Sequence, residues 1–306
     1  MKALTVVLAL LAALSNASSS VLQRRAAVDE PTGGRGLRTA LRWLGNVLRR
    51  PHWIVGAGLL IVSTVLQGSA LSVGSLSLVQ PLMASELLFT LVIGSLVFHR
   101  RPDGRTWWAF AALAAGMALF LSSAAPSPGR DTASAGSWLT AGGTLLGVVV
   151  ALVAVSRPVR GSPRATLLGL ASAVSFAGTA ALLKEVTGRL PEGLGAVLSQ
   201  WPPYAFAAAG TVAFLLLQAA FRAGSLTASQ PALTLGDALT SVALGWALFG
   251  ERVELGVRLL PEVIGAALIG LGSIGLARAP SVSGEWDAAP RARDGPESEA
   301  QAHASP

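Results

Sequence analysis

The feature that most constrains the fold of this chain is an internal repeat. Gln67 and Gln218 are 151 residues apart, and so are Glu86 and Asp237. The match continues past the two acids at the same offset, at Leu88/Leu239, Gly94/Gly245, Phe98/Phe249 and Arg101/Arg252. Each acid lies alone near the middle of a long apolar run. Duplicated apolar units with one carboxylate at depth in each copy are typical of secondary transporters.

The composition indicates a membrane protein. Of the 306 residues, 52% are hydrophobic and only 13% are charged, whereas soluble domains carry about 25% charged residues. A membrane helix needs about 20 mostly apolar residues. We therefore predict an all-α, polytopic bundle of nine transmembrane helices. The nine spans are 3–22, 53–73, 77–98, 106–123, 137–156, 165–187, 203–221, 227–249 and 260–277.

The distribution of Lys and Arg predicts the orientation of the chain. Most of the 23 Lys and Arg residues fall in the loops after spans 1, 3, 5 and 7 and in the C-terminal tail. Cytoplasmic loops carry such an excess, so we expect a plasma-membrane protein with its N-terminus outside and its C-terminus in the cytoplasm. Residues 1–20 also look like a cleavable signal peptide. Cleavage would place the arginines of segment 23–51 outside, which favours an uncleaved first helix.

The repeat also predicts the domain organisation. Spans 2–4 correspond to spans 7–9, and span 6 pairs more weakly with span 1. Corresponding spans are five apart, an odd number, so the two copies have opposite orientations, as in an inverted-topology repeat. We expect a first repeat over 1–123, an outer loop and linking span 5 over 124–164, a second repeat over 165–278 and a disordered cytoplasmic tail over 279–306. Segment 23–51 is predicted to be an amphipathic helix on the cytoplasmic leaflet, or else a disordered basic linker.

The candidate site residues are the two acids and four glutamines. Glu86 and Asp237 lie about ten residues into their spans, which is close to mid-bilayer. An ionised, unpaired carboxylate there costs at least ~2.5–3.5 kcal/mol, so each must face the interior, be protonated or hold a cation. We expect a substrate or ion site in a cavity lined by spans 1, 3, 6 and 8; the alternative is a structural hydrogen bond from a neutral carboxyl. The glutamines proposed for the same site are Gln67, Gln218, Gln80 and Gln230.

Two prolines are candidates for helix breaks, and the sequence lacks the signatures of catalysis. Pro81 and Pro231 each remove a backbone donor from a span, and broken helices occur near transport sites. Cysteine is absent, and no phosphate-binding loop or catalytic triad is evident. We therefore predict no enzyme activity and no cofactor. Nucleic acid is not expected as a partner, because the arginines fall in membrane loops.

Two motifs resemble those of a known superfamily. Ala17-Ser-Ser-Ser-Val-Leu-Gln-Arg-Arg-Ala26 follows span 1, and Gly74-Ser-Leu-Ser-Leu-Val-Gln-Pro-Leu82 opens span 3. With the four-span repeats, they are similar to the drug/metabolite transporter superfamily, in the nine-span branch that includes NIPA-type magnesium transporters and bacterial relatives. The resemblance covers residues 1–278. It implies a secondary transporter that moves a small solute across the lipid bilayer.

The sequence leaves three functions open. The favoured one is ion- or proton-coupled movement of a small solute by alternating access. The second is magnesium or other divalent cation transport, in which Glu86 and Asp237 would supply the oxygen ligands that Mg²⁺ prefers. The third is a membrane scaffold or regulator, in which the acids serve packing. Neither the substrate nor the oligomeric state is specified by the sequence.

Overall fold

The computed structural model describes residues 2–28, 49–99, 101–123, 129–223, 226–251 and 259–278. In these ranges the chain is helical, with no strand. A single turn of 3₁₀ helix, Leu190–Glu192, precedes α8. The helices are α1 (Lys2–Val28), α2 (Pro51–Val73), α3 (Leu76–Met83), α4 (Glu86–Val97), α5 (Gly104–Ser123), α6 (Ala135–Ser156), α7 (Ser162–Gly188), α8 (Leu194–Leu198), α9 (Pro202–Ala223), α10 (Leu226–Phe249) and α11 (Leu259–Ala277).

The all-helical architecture predicted from the apolar runs is confirmed for the described residues. Among these residues, seven helical segments are long and apolar enough to cross a membrane: α1, α2, α3 together with α4, α6, α7, α9 and α10. Helices α5 and α11 also form at predicted spans, and α11 contains a shorter apolar stretch, Val263–Leu276. Helix α1 extends six residues past its predicted end, and the other helix bounds lie within three residues of the predicted ones.

The helices pack in two similar sets. Helix α1 packs along α2 and against α3 and α4, while α7 packs along α9 and α10. Helix α5 pairs with α11, and the approach is close enough to require glycine. A Cβ on Gly116 would lie 2.7 Å from the backbone nitrogen of Ile269, and one on Gly272 would lie 2.5 Å from that of Leu113. The sets meet where α10 contacts α3 and where α7 contacts α2 and α3.

Burial separates a central region from a periphery. In α7, 67% of the spanning window is buried, and in α3 with α4 the share is 61%. The corresponding shares are 6% in α6 and 11% in α9. Since α6 and α9 are as apolar as the central helices, their exposed faces suit contact with lipid.

The third predicted span is discontinuous. Helix α3 continues through Pro81 and ends at Met83; Ala84 and Ser85 form a tight turn, and α4 begins at Glu86. In this turn the amides of Ala84 and Ser85 bond to carbonyls three residues back, as in a 3₁₀ helix. The break predicted at Pro81 therefore lies just after it and places Glu86 at the start of a helix.

The break predicted at Pro231 is absent. Helix α10 runs from Leu226 through Pro231 to Phe249 without interruption. Pro231 is only the sixth residue of this helix, so its missing donor affects one bond close to the helix start. Segment 29–48, most of the predicted amphipathic region, and the predicted tail 279–306 lie outside the described residues. Residues 23–28 continue α1, and Pro51 begins α2.

Candidate functional site

Glu86 lies inside the protein with an amide as its partner. The side-chain nitrogen of Asn16, on α1, donates to Oε2 of Glu86 at 2.5 Å. Asn16 was not among the residues predicted from sequence, although it is the sole amide within predicted span 1. A lone amide among apolar residues is a recognisable signal, because such a group needs a polar partner across a helix interface.

Asp237, the second predicted acid, is in different surroundings. Its Oδ1 atom is buried and has no hydrogen-bond partner among the described residues. Its carboxyl lies within electrostatic range of Glu86, so negative charges on both would repel each other. The structure thus brings the two predicted acids into one interior region, where the first set of helices meets α10. We call Glu86, Asp237 and Asn16 the acid site.

A stripe of polar and small residues extends from each acid along its helix. Positions four and eight residues after Asp237 are Ser241 and Gly245, and those after Glu86 are Thr90 and Gly94. Residues at this spacing share one helix face. Ser241 is fully buried, and its hydroxyl has no partner among the described residues. The stripe on α10 faces the first set of helices, because a Cβ on Gly245 would lie 3.6 Å from the amide nitrogen of Ser77.

Within the part of the chain that the structure describes, no hydrogen bond joins Gln67, Gln80 or Gln218 to either acid. Gln80 is buried in α3, about one turn before the break. Gln67 and Gln218 are half-buried on α2 and α9, the outer partners of α1 and α7. Gln230 lies in α10, but its side chain falls outside the described residues. Their proposed roles in binding remain predictions.

Few candidate ligands support a metal site. Within the ranges that the structure describes, no group of three or more His, Cys, Asp and Glu residues forms a cluster that could hold a metal ion. Glu86 and Asp237 thus have no third His, Cys, Asp or Glu grouped with them among the described residues. A divalent ion at this site would therefore depend on the two carboxylates together with amide, hydroxyl or water oxygens.

A buried ion pair that the sequence did not reveal lies at the start of α3. Nζ of Lys184 is 2.5 Å from Oε1 of Glu251, and both side chains are almost fully buried. Glu251 also accepts from the amides of Leu76, at 2.7 Å, and Ser77, at 3.0 Å, and from the Ser77 hydroxyl at 2.7 Å. Nζ of Lys184 also donates to the carbonyl of Gly74 at 3.3 Å. We call these residues the Glu251 cluster.

A second charged network lies nearby at the end of α7. Glu185, which is fully buried, accepts from the amide of Ala133 at 2.8 Å and from the indole nitrogen of Trp138 at 3.1 Å. Arg189 donates to its other oxygen from Nε, at 2.9 Å, and from a terminal nitrogen, at 2.6 Å. Lys184 and Glu185 are adjacent in sequence, but each has its own partners, because neighbouring helix residues point to different sides.

The cavity predicted between spans 1, 3, 6 and 8 also remains a prediction. A groove of about 520 Å³ lies between α6, α7 and α10, which correspond to spans 5, 6 and 8. Its lining is mostly apolar, with four hydroxyl-bearing residues, Ser137, Thr140, Thr144 and Thr240. Neither Glu86 nor Asp237 lines it. The groove is therefore separate from the acid site.

The chain is similar over most of its length to a bacterial protein. An uncharacterised protein of Corynebacterium glutamicum is 27% identical over 257 residues, which cover 82% of this chain and 86% of the relative. No family model matches the chain. No solved structure gives a significant match.

Proposed function

We propose that this chain is a secondary transporter of the drug/metabolite type that moves a small solute by alternating access. The observation that carries the proposal is the acid site. Two carboxylates at matching positions of a sequence repeat lie within electrostatic range of each other inside a bundle of apolar helices. Ionisable groups at membrane depth are costly, and in transporters they mark ion, proton or substrate pathways. A site at the junction of two repeats is where such proteins bind their solutes.

Helix packing supports the inverted repeat of nine spans. Helices α1 and α7 make corresponding contacts, since each packs along the next long helix and against the acid-bearing helix of its own set. The ends of the sets also correspond. The Arg25 guanidinium is 5.9 Å from the centre of the Phe98 ring, and Nζ of Lys184 is 4.7 Å from that of Phe249. Phe98 and Phe249 are themselves a repeat pair.

The orientation proposed from charge agrees with how the loops assemble. Gly74, residues 129–134, the end of α7 and Glu251 would all lie outside if the C-terminus is cytoplasmic. These segments contact one another: Lys184 bonds to Gly74 and Glu251, Ala133 bonds to Glu185, and the amide of Arg130 donates to Phe249. Helix α1 supplies Asn16 to the acid site, which favours its retention as the first span rather than its removal as a signal peptide.

Divalent cation transport is the second candidate, and a non-transporting scaffold is the third. The two carboxylates support the second, while the sparse ligand set keeps it behind the first. The scaffold hypothesis would require that Asp237 serve packing. An oxygen without a partner is a poor packing element, because a buried unsatisfied polar group costs about 1–3 kcal/mol.

Flux measurements in proteoliposomes would test the proposal. The probes are Mg²⁺ with an internal indicator dye and a panel of radiolabelled amines and amino acids. We expect flux of at least one probe, and a fall of about tenfold or more in Glu86→Gln/Asp237→Asn, since charge at the acid site is removed without loss of size.

The matched control is Glu192→Gln, the same chemical change at an exposed acid in the 3₁₀ turn before α8. It should leave flux unaltered. Normal flux in the double variant would exclude the acid site from transport. No flux of any probe, together with a melting temperature that Mg²⁺ does not alter, would favour the scaffold.

A further inference from the structure

Glu251 connects parts of the chain that are far apart in sequence. It follows α10 directly, where Gly250 adopts a left-handed conformation with φ of 65° and the amide of Glu251 bonds to the carbonyl of Gly245. This turn directs the Glu251 side chain towards α3, in the other set of helices. The carboxylate therefore links the end of α10 to Leu76 and Ser77 and, through Lys184, to α7.

The start of α3 is built to bind a carboxylate. The first amides of a helix have no partner within it and favour negative charge. Ser75 precedes α3 but makes no capping bond with its side chain, so Glu251 replaces the usual local cap. Two amides, the Ser77 hydroxyl and the Lys184 ammonium all donate to this one carboxylate. The Ser75 hydroxyl is buried beside this cluster without a partner among the described residues.

We infer that the start of α3 and Lys184 form a carboxylate-binding site whose resident ligand, Glu251, closes one side of the protein and must leave when that side opens. The inference rests on the proposed alternating access. Opening on this side separates α3 from the end of α10. The ligand class follows from the donors, which match an anionic, two-oxygen group and no cation.

The energetics of a buried ion pair suit a contact that forms and breaks. Such a pair contributes little net stability relative to apolar packing, because the desolvation of both charges offsets their attraction. When the ion pair separates on opening, hydration of both charged groups compensates for the lost attraction. A purely apolar seal would gain nothing from hydration and would resist opening.

Thiol labelling offers a test that needs no knowledge of the solute. The chain has no cysteine, so a single introduced thiol reports on one position. Ser75→Cys is the reporter, because the Ser75 side chain is 3% exposed and its hydroxyl makes no bond among the described residues. In lipid nanodiscs, where both faces are accessible, a charged maleimide should label this variant slowly. Adding Glu251→Gln should raise the labelling rate about tenfold, as expected for loss of one charge-assisted bond.

The matched control is Ser273→Cys on α11, which replaces another fully buried serine whose hydroxyl has no partner among the described residues. Its labelling should not respond to Glu251→Gln. Equal protection of the thiol in the Ser75→Cys variant with and without Glu251 would overturn the inference. So would an increase at both reporters, since Glu251 would then support the whole fold rather than one side.

Two further results separate this inference from the proposed function. In the Ser75→Cys background with Glu251→Ala, acetate should slow labelling again at a concentration on the order of 100 mM, because a single carboxylate binds weakly. Chloride at the same concentration should not. Failure of acetate to protect the introduced thiol would contradict a carboxylate site. If labelling behaves as expected but no probe is transported, the carboxylate site stands and the transport proposal fails. If labelling is unchanged but flux depends on Glu86 and Asp237, the transport proposal stands and the carboxylate site fails.

Discussion

Glu86 and Asp237 occupy the same position of a repeat, yet their surroundings differ. Glu86 begins a helix after a break and is bonded by Asn16. Asp237 lies inside a continuous helix, and its Oδ1 has no partner among the described residues. The positions on α7 that correspond to Asn16 are Ser175 or Phe176, for an offset of 159 or 160. The Ser175 hydroxyl bonds to Ala171 on its own helix.

The comparison suggests a division of roles within the acid site. A carboxylate bonded by an amide is oriented, so Glu86 suits the positioning of a neighbour. A carboxyl with an unused oxygen can accept a proton or contact a cation without losing an existing bond. We therefore expect Asp237 to be the group that exchanges a ligand.

The largest effect should come from neutralising Asp237. Asp237→Asn removes a carboxylate whose buried Oδ1 has no hydrogen-bond partner among the described residues, and an uncompensated charge at depth costs ~2.5–3.5 kcal/mol. We expect the variant to unfold at higher denaturant concentration than wild type, while solute flux falls. Glu86→Gln should gain less stability, because the Asn16 bond already stabilises the carboxylate. Equilibrium unfolding in mixed micelles compares the two; equal gains would remove the distinction between the acids.

The second effect concerns the Asn16 bond. Asn16→Leu leaves the Glu86 oxygen without its donor, and we expect a loss of about 1–3 kcal/mol. In the Glu86→Gln background the same change should cost less, since an unpaired amide is less unfavourable than an unpaired carboxylate. A double-mutant cycle on unfolding free energies measures the coupling. Additive losses would mean that the bond contributes nothing specific to the site.

The helical architecture could be predicted because each span is encoded locally. Apolar runs of about 20 residues can only be helices when they cross a membrane, and their flanking charges set their ends. The acids could be identified for a related reason: a lone carboxylate in an apolar run has few structural explanations. The break lies three residues beyond Pro81 rather than at it, and nothing in Ala84 or Ser85 signals this, because neither residue has a strong preference against a helix.

The Glu251 cluster could not be predicted because its signal is not local. Lys184 and Glu251 are separated by 67 residues, and Glu251 follows a helix end, where an acid is ordinary. Its partners at Leu76 and Ser77 are mainly backbone amides, which leave no trace in the sequence. Asn16 differs from Glu251, since a lone amide within an apolar run is a local signal that could have identified it.

The smallest effect concerns the close contact between Gly245, on the stripe of α10, and the Glu251 carboxylate. A Cβ on Gly245 would clash with Oε2 of Glu251, and that oxygen is held by the amide and hydroxyl of Ser77. Gly245→Ala should therefore displace the carboxylate and cost about 1 kcal/mol, the contribution of one such bond. Gly143→Ala on α6 is the control, because its Cβ would meet nothing within 4 Å.

In a helix, alanine in place of glycine is favourable by about 0.5–1 kcal/mol where space allows, so Gly143→Ala should be slightly stabilising. The two alanine variants should thus differ in sign when their unfolding free energies are measured side by side. A stabilising Gly245→Ala would show that the Glu251 carboxylate can move without loss. The end of α10 would then be free to shift relative to α3. The difference between the surroundings of Asp237 and Glu86 would not depend on the contact between Gly245 and Glu251.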